Sequence, residues 1–137
     1  MLPKDSIAAE CARRGRAEVV AGCVALLGGR TVDDALVLAL GGAHGAAVLD
    51  GGPETRYWLR VWAARGLLWE WSAAAVPALV AALGDEHWRV REMAAKVVAR
   101  HRVGAAFEAV EALRADGVAR VAAAAERAVR VLVSGGD

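Results

Sequence analysis

Few residues of this chain have the type and spacing that covalent chemistry needs. Its two cysteines, Cys11 and Cys23, have eleven residues between them and no CxxC spacing. In apolar helical surroundings they read as small buried side chains, which suits a reducing compartment. His44, His87 and His101 share no ligand spacing with one another or with the cysteines, so no metal site is expected. Ser6, Ser72 and Ser134 lack the strand-to-helix elbow that exposes a nucleophilic hydroxyl. The glycine-rich stretch GGAHGAAVLDGG (41–52) matches neither a Walker A loop nor GxGxxG after a strand. It reads as a short helix bracketed by glycine turns. No catalytic, cofactor-binding or metal-ligating residue is expected, and no cofactor.

Rings and cations offer more. YWLRVWAARGLLWEW (57–71) holds four of the five tryptophans and the only tyrosine. On a helix, at about 100° per residue, Trp58, Trp62, Arg65 and Trp69 share one stripe. The positions 31 residues on are Arg89, Met93, Lys96 and Arg100; the next are Arg120, Ala124, Arg127 and Val131. The candidate partner-binding residues are therefore Trp58, Arg65, Trp69, Arg89, Lys96, Arg100, Arg120 and Arg127. Such a stripe could hold an acidic peptide, or a nucleic-acid backbone with rings to stack on bases. The competing reading is a solvated helix flank whose cations cover the core edge or pair with glutamates. Tyr57, Val61, Ala64 and Leu68 read as the face opposite the first stripe, followed by Trp88, Glu92, Ala95 and Ala99, then Ala119, Ala123, Glu126 and Arg130. The first of these helices is apolar almost all round, which predicts burial. Within it Trp62 reads as core, and Trp58 and Trp69 as its rim.

The elements that carry these residues are helices. Sustained β alternation is absent, and the apolar spacing predicts helices over 5–14, 16–28, 32–40, 43–50, 54–71, 73–83, 86–102, 105–115 and 117–133. Thr31 with Asp34 suits a capping-box variant, Pro53 and Glu54 a helix start, and Asp85 and Asp116 N-caps. Glycine pairs at 28–29, 41–42 and 51–52 suit chain breaks and C-terminal caps. Hydrophobic residues make up 57% of the chain, much of it Ala and Val, which favours closely packed helices. The 17 basic and 16 acidic residues nearly cancel, which argues against a general polyanion binder. No apolar run approaches the roughly 18 residues of a membrane span, and no signal-peptide core opens the chain. A cytoplasmic protein without membrane partners is the expectation.

The helices repeat. Glu54, Asp85 and Asp116 align at intervals of 31 residues, as do Leu59, Val90 and Val121, then Ala63, Ala94 and Ala125, then Leu67, Val98 and Val129. A shorter apolar helix, 73–83 or 105–114, separates successive copies. A helix pair recurring at this length is the mark of an α-solenoid, in which each pair buries its apolar face against the next. AVPALVAALGDEHWRVREMAAKVVAR resembles a HEAT-like repeat of the kind found in phycobilisome lyases, through Pro77, Asp85, Val90, Arg91, Ala94 and Ala95. Glu54, Leu59, Arg60, Val61, Ala63 and Ala64 follow the same pattern. The third copy has Ala122 in place of the arginine and no proline in its preceding helix.

The resemblance, shared with HEAT-repeat proteins of high-GC bacteria, implies a short right-handed α-solenoid of stacked antiparallel helix pairs. One all-α domain over 1–137 would comprise degenerate N-terminal repeats (1–53) and units at 54–84, 85–115 and 116–134. It also implies a ladder between neighbouring repeats, with Glu54/Arg60 and Asp85/Arg91 as its members. The function so implied is a non-enzymatic scaffold that binds a protein or peptide on its concave surface. Two alternatives are a nucleic-acid module like the HEAT-like alkylated-base glycosylases, whose Trp/Arg usage HWRVRE (87–92) resembles, and a lyase-like subunit handling a bilin. A glycosylase should carry a carboxylate among its concave aromatics, and the stripe has none.

Overall fold

The structure is a computed structural model that describes residues 2–134. Among these residues it is all-helical, with no strand. The chain divides into two compact units, one ending at Ala75 and one beginning at Val76, a division inside the expected 54–84 unit.

The first unit contains α1 (Pro3–Arg14), α2 (Arg16–Leu27), α3 (Asp34–Gly41), α4 (Gly45–Asp50) and α5 (Tyr57–Trp69). Short 3₁₀ turns occupy Gly42–His44, Pro53–Thr55 and Ala73–Ala75. Helices α2 and α5 pack along one another, while α3 packs on both α1 and α5. Ile7, Val19, Cys23, Leu26, Leu36, Leu40, Ala63, Ala64 and Leu67 are buried at the centre. Glycines permit the close approach. A Cβ on Gly66 of α5 would stand 2.9 Å from Leu40 Cδ2 and 3.2 Å from Cys23 Sγ. One on Gly22 of α2 would stand 2.1 Å from Leu36 Cδ2. Mid-helix glycine costs about 1 kcal/mol against alanine in propensity, so these positions exchange local helix stability for packing.

Polar links close the same unit. Glu10, only 8% exposed, accepts hydrogen bonds from Arg13 and Arg14. Arg14 also donates to both oxygens of Asp33 at 2.8 Å. Asp33, not Thr31, caps α3: its Oδ1 accepts from Leu36 N at 3.0 Å. The arginine bonds hold the carboxyl of Glu10 below its usual range, and Arg14 with the capping amide does the same, strongly, for Asp33.

The second unit contains α6 (Val76–Ala82), α7 (Trp88–His101), a 3₁₀ turn (Gly104–Ala106), α8 (Phe107–Leu113) and α9 (Ala119–Val133). Its chief pairing is α7 with α9; α6 lies on α7, and α8 on α9. The core is small and branched: Leu79, Val90, Ala94, Val97, Val98, Val110, Val121, Ala125 and Ala128. Asp85 and Asp116 are not N-caps. Each sits earlier and accepts from the amide two residues on, His87 N at 2.8 Å and Val118 N at 2.9 Å, closing the turn before the helix. The N-caps are His87, whose Nδ1 accepts from Arg89 N, and Val118, which offers no side-chain bond.

Local structure recurs with the sequence period and extends it upstream. The 3₁₀ turns begin at 42, 73 and 104, the short helices at 45, 76 and 107, and the long helices at 57, 88 and 119. Val48, Leu79 and Val110 are the aligned buried residues of the short helices. The 31-residue frame thus begins at 42, inside the stretch read as a degenerate N-terminal segment.

Candidate functional site

The stripe residues fall in both units. In the first, α5 brings Trp58, Trp62 and Arg65 to one wall of a cavity of about 430 Å³. His44, Ala47 and Val48 from the 3₁₀ turn and α4, with Thr55, form the rest of its lining. The Trp58 and Trp62 rings stack, with centroids 6.2 Å apart and planes 29° apart. Trp62 is 5% exposed, and its six-membered ring lies against Gly41. Trp58 is half-buried and also contacts the Tyr57 ring at 5.1 Å. Trp69 is half-buried and lies outside this cavity.

Arg65 is the half-buried cation of this wall. Its Nη2 donates to the Leu40 carbonyl at 2.7 Å, placing positive charge on the last turn of α3, where the helix dipole is negative. Its Nε is buried and has no hydrogen-bond partner among the described residues. Burial pushes the guanidinium pKa down from its usual value. Among the described residues no carboxylate lines the cavity. Arg60 lies instead on a separate concavity of about 260 Å³, with Arg30, Arg56 and Asp34. Glu54 is exposed in the turn that opens with Pro53.

In the second unit the cations gather around Trp88. The guanidinium carbons of Arg89 and Arg120 stand 4.5 and 5.0 Å from its ring centroid, and the His87 ring stacks on it at 6.2 Å. Arg120 reaches from α9 to Glu92 on α7, Nε to Oε2 at 2.9 Å and Nη2 to Oε1 at 3.1 Å. Lys96 Nζ lies 3.8 Å from the same carboxylate. Glu92 is 8% exposed, so one nearly buried anion organises two stripe cations. Arg100 and Arg127 are exposed.

This arrangement corrects the two-face reading. Stripes that begin at neighbouring residues are about 100° apart, not opposed. Glu92 therefore lies close to Arg89 and Lys96 around α7 and can meet Arg120 of the adjacent helix. Ala95 and Ala99, read as part of the face opposite the stripe, are buried.

The repeat positions fall as follows. Pro77 is the second residue of α6, where the missing N–H costs least. Arg91 joins the next copy's acid: Nε donates to Asp116 Oδ2 at 2.9 Å and Nη2 to Oδ1 at 3.3 Å. Its Nη1 also donates to the Asp85 carbonyl at 2.9 Å. The Arg91 bonds and the Val118 amide hold the Asp116 carboxyl below its usual range.

Burial pushes the Cys11 thiol up to about 11 and the Cys23 thiol to about 12, so both are protonated near neutrality. Among the described residues no group of three or more His, Cys, Asp or Glu is placed to hold a metal ion. No described helix is long and apolar enough to cross a membrane.

Sequence reasoning assigned none of Trp88, His44, Ala47, Val48 and Thr55 to a binding site. The last four meet Trp58 and Trp62 only through the chain reversal between α4 and α5, for which spacing gives no signal. Compared with family models, with curated proteins and with solved structures, the chain matches none.

Proposed function

We propose that this chain is a non-catalytic helical-repeat module of the HEAT-like kind, a short right-handed solenoid of antiparallel helix pairs. We further propose that its α7/α9 face binds an acidic segment of a partner protein. The repeat reading draws support from the 31-residue recurrence of 3₁₀ turn, short helix and long helix, and from the Arg91–Asp116 link between successive copies.

The binding reading rests on one observation: charge is segregated by helix type. Helices α7 and α9 carry Arg89, Arg91, Lys96, Arg100, Arg120, Arg127 and Arg130 against only Glu92 and Glu126. The short helices α6 and α8 carry no basic residue, and α8 has Glu108 and Glu111. Half-buried Trp88, with two guanidiniums within 5.0 Å of its ring centroid, lies on these helices, so cationic and apolar contacts are available together. Such a patch steers and holds an extended acidic peptide.

A labelled acidic peptide titrated into the full chain, with a single-stranded oligonucleotide of equal charge as competitor, tests this. The reading expects saturable peptide binding that weakens with salt and that the oligonucleotide displaces poorly. Absence of peptide binding at low salt contradicts it. Tighter oligonucleotide binding transfers the face to nucleic acid.

A further inference from the structure

The cavity beside α5 has its own chemistry, independent of the acidic-peptide reading. At about 430 Å³ it falls within the range of small-molecule sites. Two stacked indoles, Val48 and Ala47 give it an apolar body. Its one cationic group of fixed charge is Arg65, with which no carboxylate of the described residues is paired. The Leu40 carbonyl takes one of the guanidinium's N–H groups and supplies only a partial negative charge. A half-buried guanidinium held by a single carbonyl, with its Nε unbonded, is costly unless an anion completes it. The aromatic wall selects the rest of that anion, because flat apolar groups gain most against stacked rings.

We infer that this cavity binds a small organic monocarboxylate with an aromatic or compact apolar body, its carboxylate on Arg65 and its body against Trp58 and Trp62. Exposed His44 and the Thr55 hydroxyl, which donates to the Gly52 carbonyl at 2.9 Å, leave polar acceptors and donors at the margin. A neutral amide of the same shape keeps the stacking and loses the charge-assisted bonds to Arg65.

The test uses phenylacetate as the probe, titrated into the ¹⁵N-labelled full chain while the tryptophan indole N–H signals are followed. The expected result is saturable shifts of Trp58 and Trp62, with phenylacetamide at least tenfold weaker. Arg65→Met should weaken phenylacetate at least tenfold. Because Arg65 also caps α3, Ala47→Trp serves as a second variant: Ala47 is exposed, so its replacement fills the cavity and leaves Arg65 untouched. It should abolish the shifts. Equal affinity for acid and amide, unaltered binding by Ala47→Trp, or shifts confined to Trp69, Trp71 or Trp88 would overturn the assignment.

Discussion

Replacing Gly41 by alanine is a one-carbon test of how α3 meets α5. Gly41 ends α3 with φ near −93°, so alanine suffers no backbone strain there. By helix propensity alone the change is neutral or gains a fraction of the roughly 1 kcal/mol that separates the two residues mid-helix. The neighbour reverses that sign. The new Cβ would stand 2.6, 2.7 and 3.0 Å from Trp62 Cζ3, Cε3 and Cη2, atoms of a rigid ring that is 5% exposed. Moving an indole or a helix by several tenths of an ångström in a packed core costs about 1–3 kcal/mol. The expected net loss is about 1–2 kcal/mol.

Urea denaturation followed by tryptophan fluorescence reads this loss well, since four of the five tryptophans lie in 58–71. The midpoint should fall with the slope unchanged. Gly104→Ala is the control: its Cβ meets nothing within 4 Å and should be neutral or slightly stabilising. In a Trp62→Leu background the ring atoms are gone, and the Gly41→Ala cost should shrink by about 1 kcal/mol or more. Wild-type stability for Gly41→Ala, or an equal cost in both backgrounds, refutes the contact as the reason for the glycine.

Other expectations follow from the same geometry. Gly66→Ala should destabilise by about 1 kcal/mol or more despite alanine's better propensity, because Leu40 and Cys23 occupy the space; urea midpoints decide it. Glu10, Asp33 and Asp116 have folded pKa values below their unfolded ones, so their stabilisation is full above about pH 5 and lost as pH falls through the folded values; Asp33→Asn and Asp116→Asn should each flatten the acid limb of a stability–pH profile. At pH 8 the two thiols should react with a disulfide reagent at least roughly 100-fold more slowly in the folded chain than in urea, Cys23 more slowly than Cys11, as timed by absorbance. Glu92→Gln should cost under about 1 kcal/mol, since the Arg120 side chain is 61% exposed, while strengthening acidic-peptide binding by releasing Arg120 and Lys96; titration and denaturation of one sample separate the effects.

Helical spacing located the long helices to within a few residues: 88–101 and 119–133 carry the strongest apolar periodicity, and 57–69, apolar almost all round, is located by its 31-residue alignment with them. The caps were less legible. Asp33, Asp85 and Asp116 all accept backbone amides, yet only Asp33 does so from the cap position, and composition alone does not separate a cap from the turn before it. The upstream start of the repeat frame at 42 was hidden because its short helix is only Gly45–Asp50 and opens on glycine, so Ala47 and buried Val48 are the residues that keep the register. Trp58, Trp62 and Arg65 were legible as a stripe, since one helix carries all three. Their cavity was not, because its other wall comes from α4, and neither was the Glu92–Arg120 bond, which depends on how α7 and α9 lie together.

The central claim, an acidic-segment site on α7 and α9, is tested most directly by mapping a glutamate-rich peptide onto the backbone amides of the full chain by NMR. The account predicts shifts concentrated at 88–100 and 120–130, including the Trp88 indole, and their loss in an Arg100→Glu/Arg127→Glu variant that stays folded. A footprint elsewhere, or one that the charge reversal leaves unchanged, contradicts it.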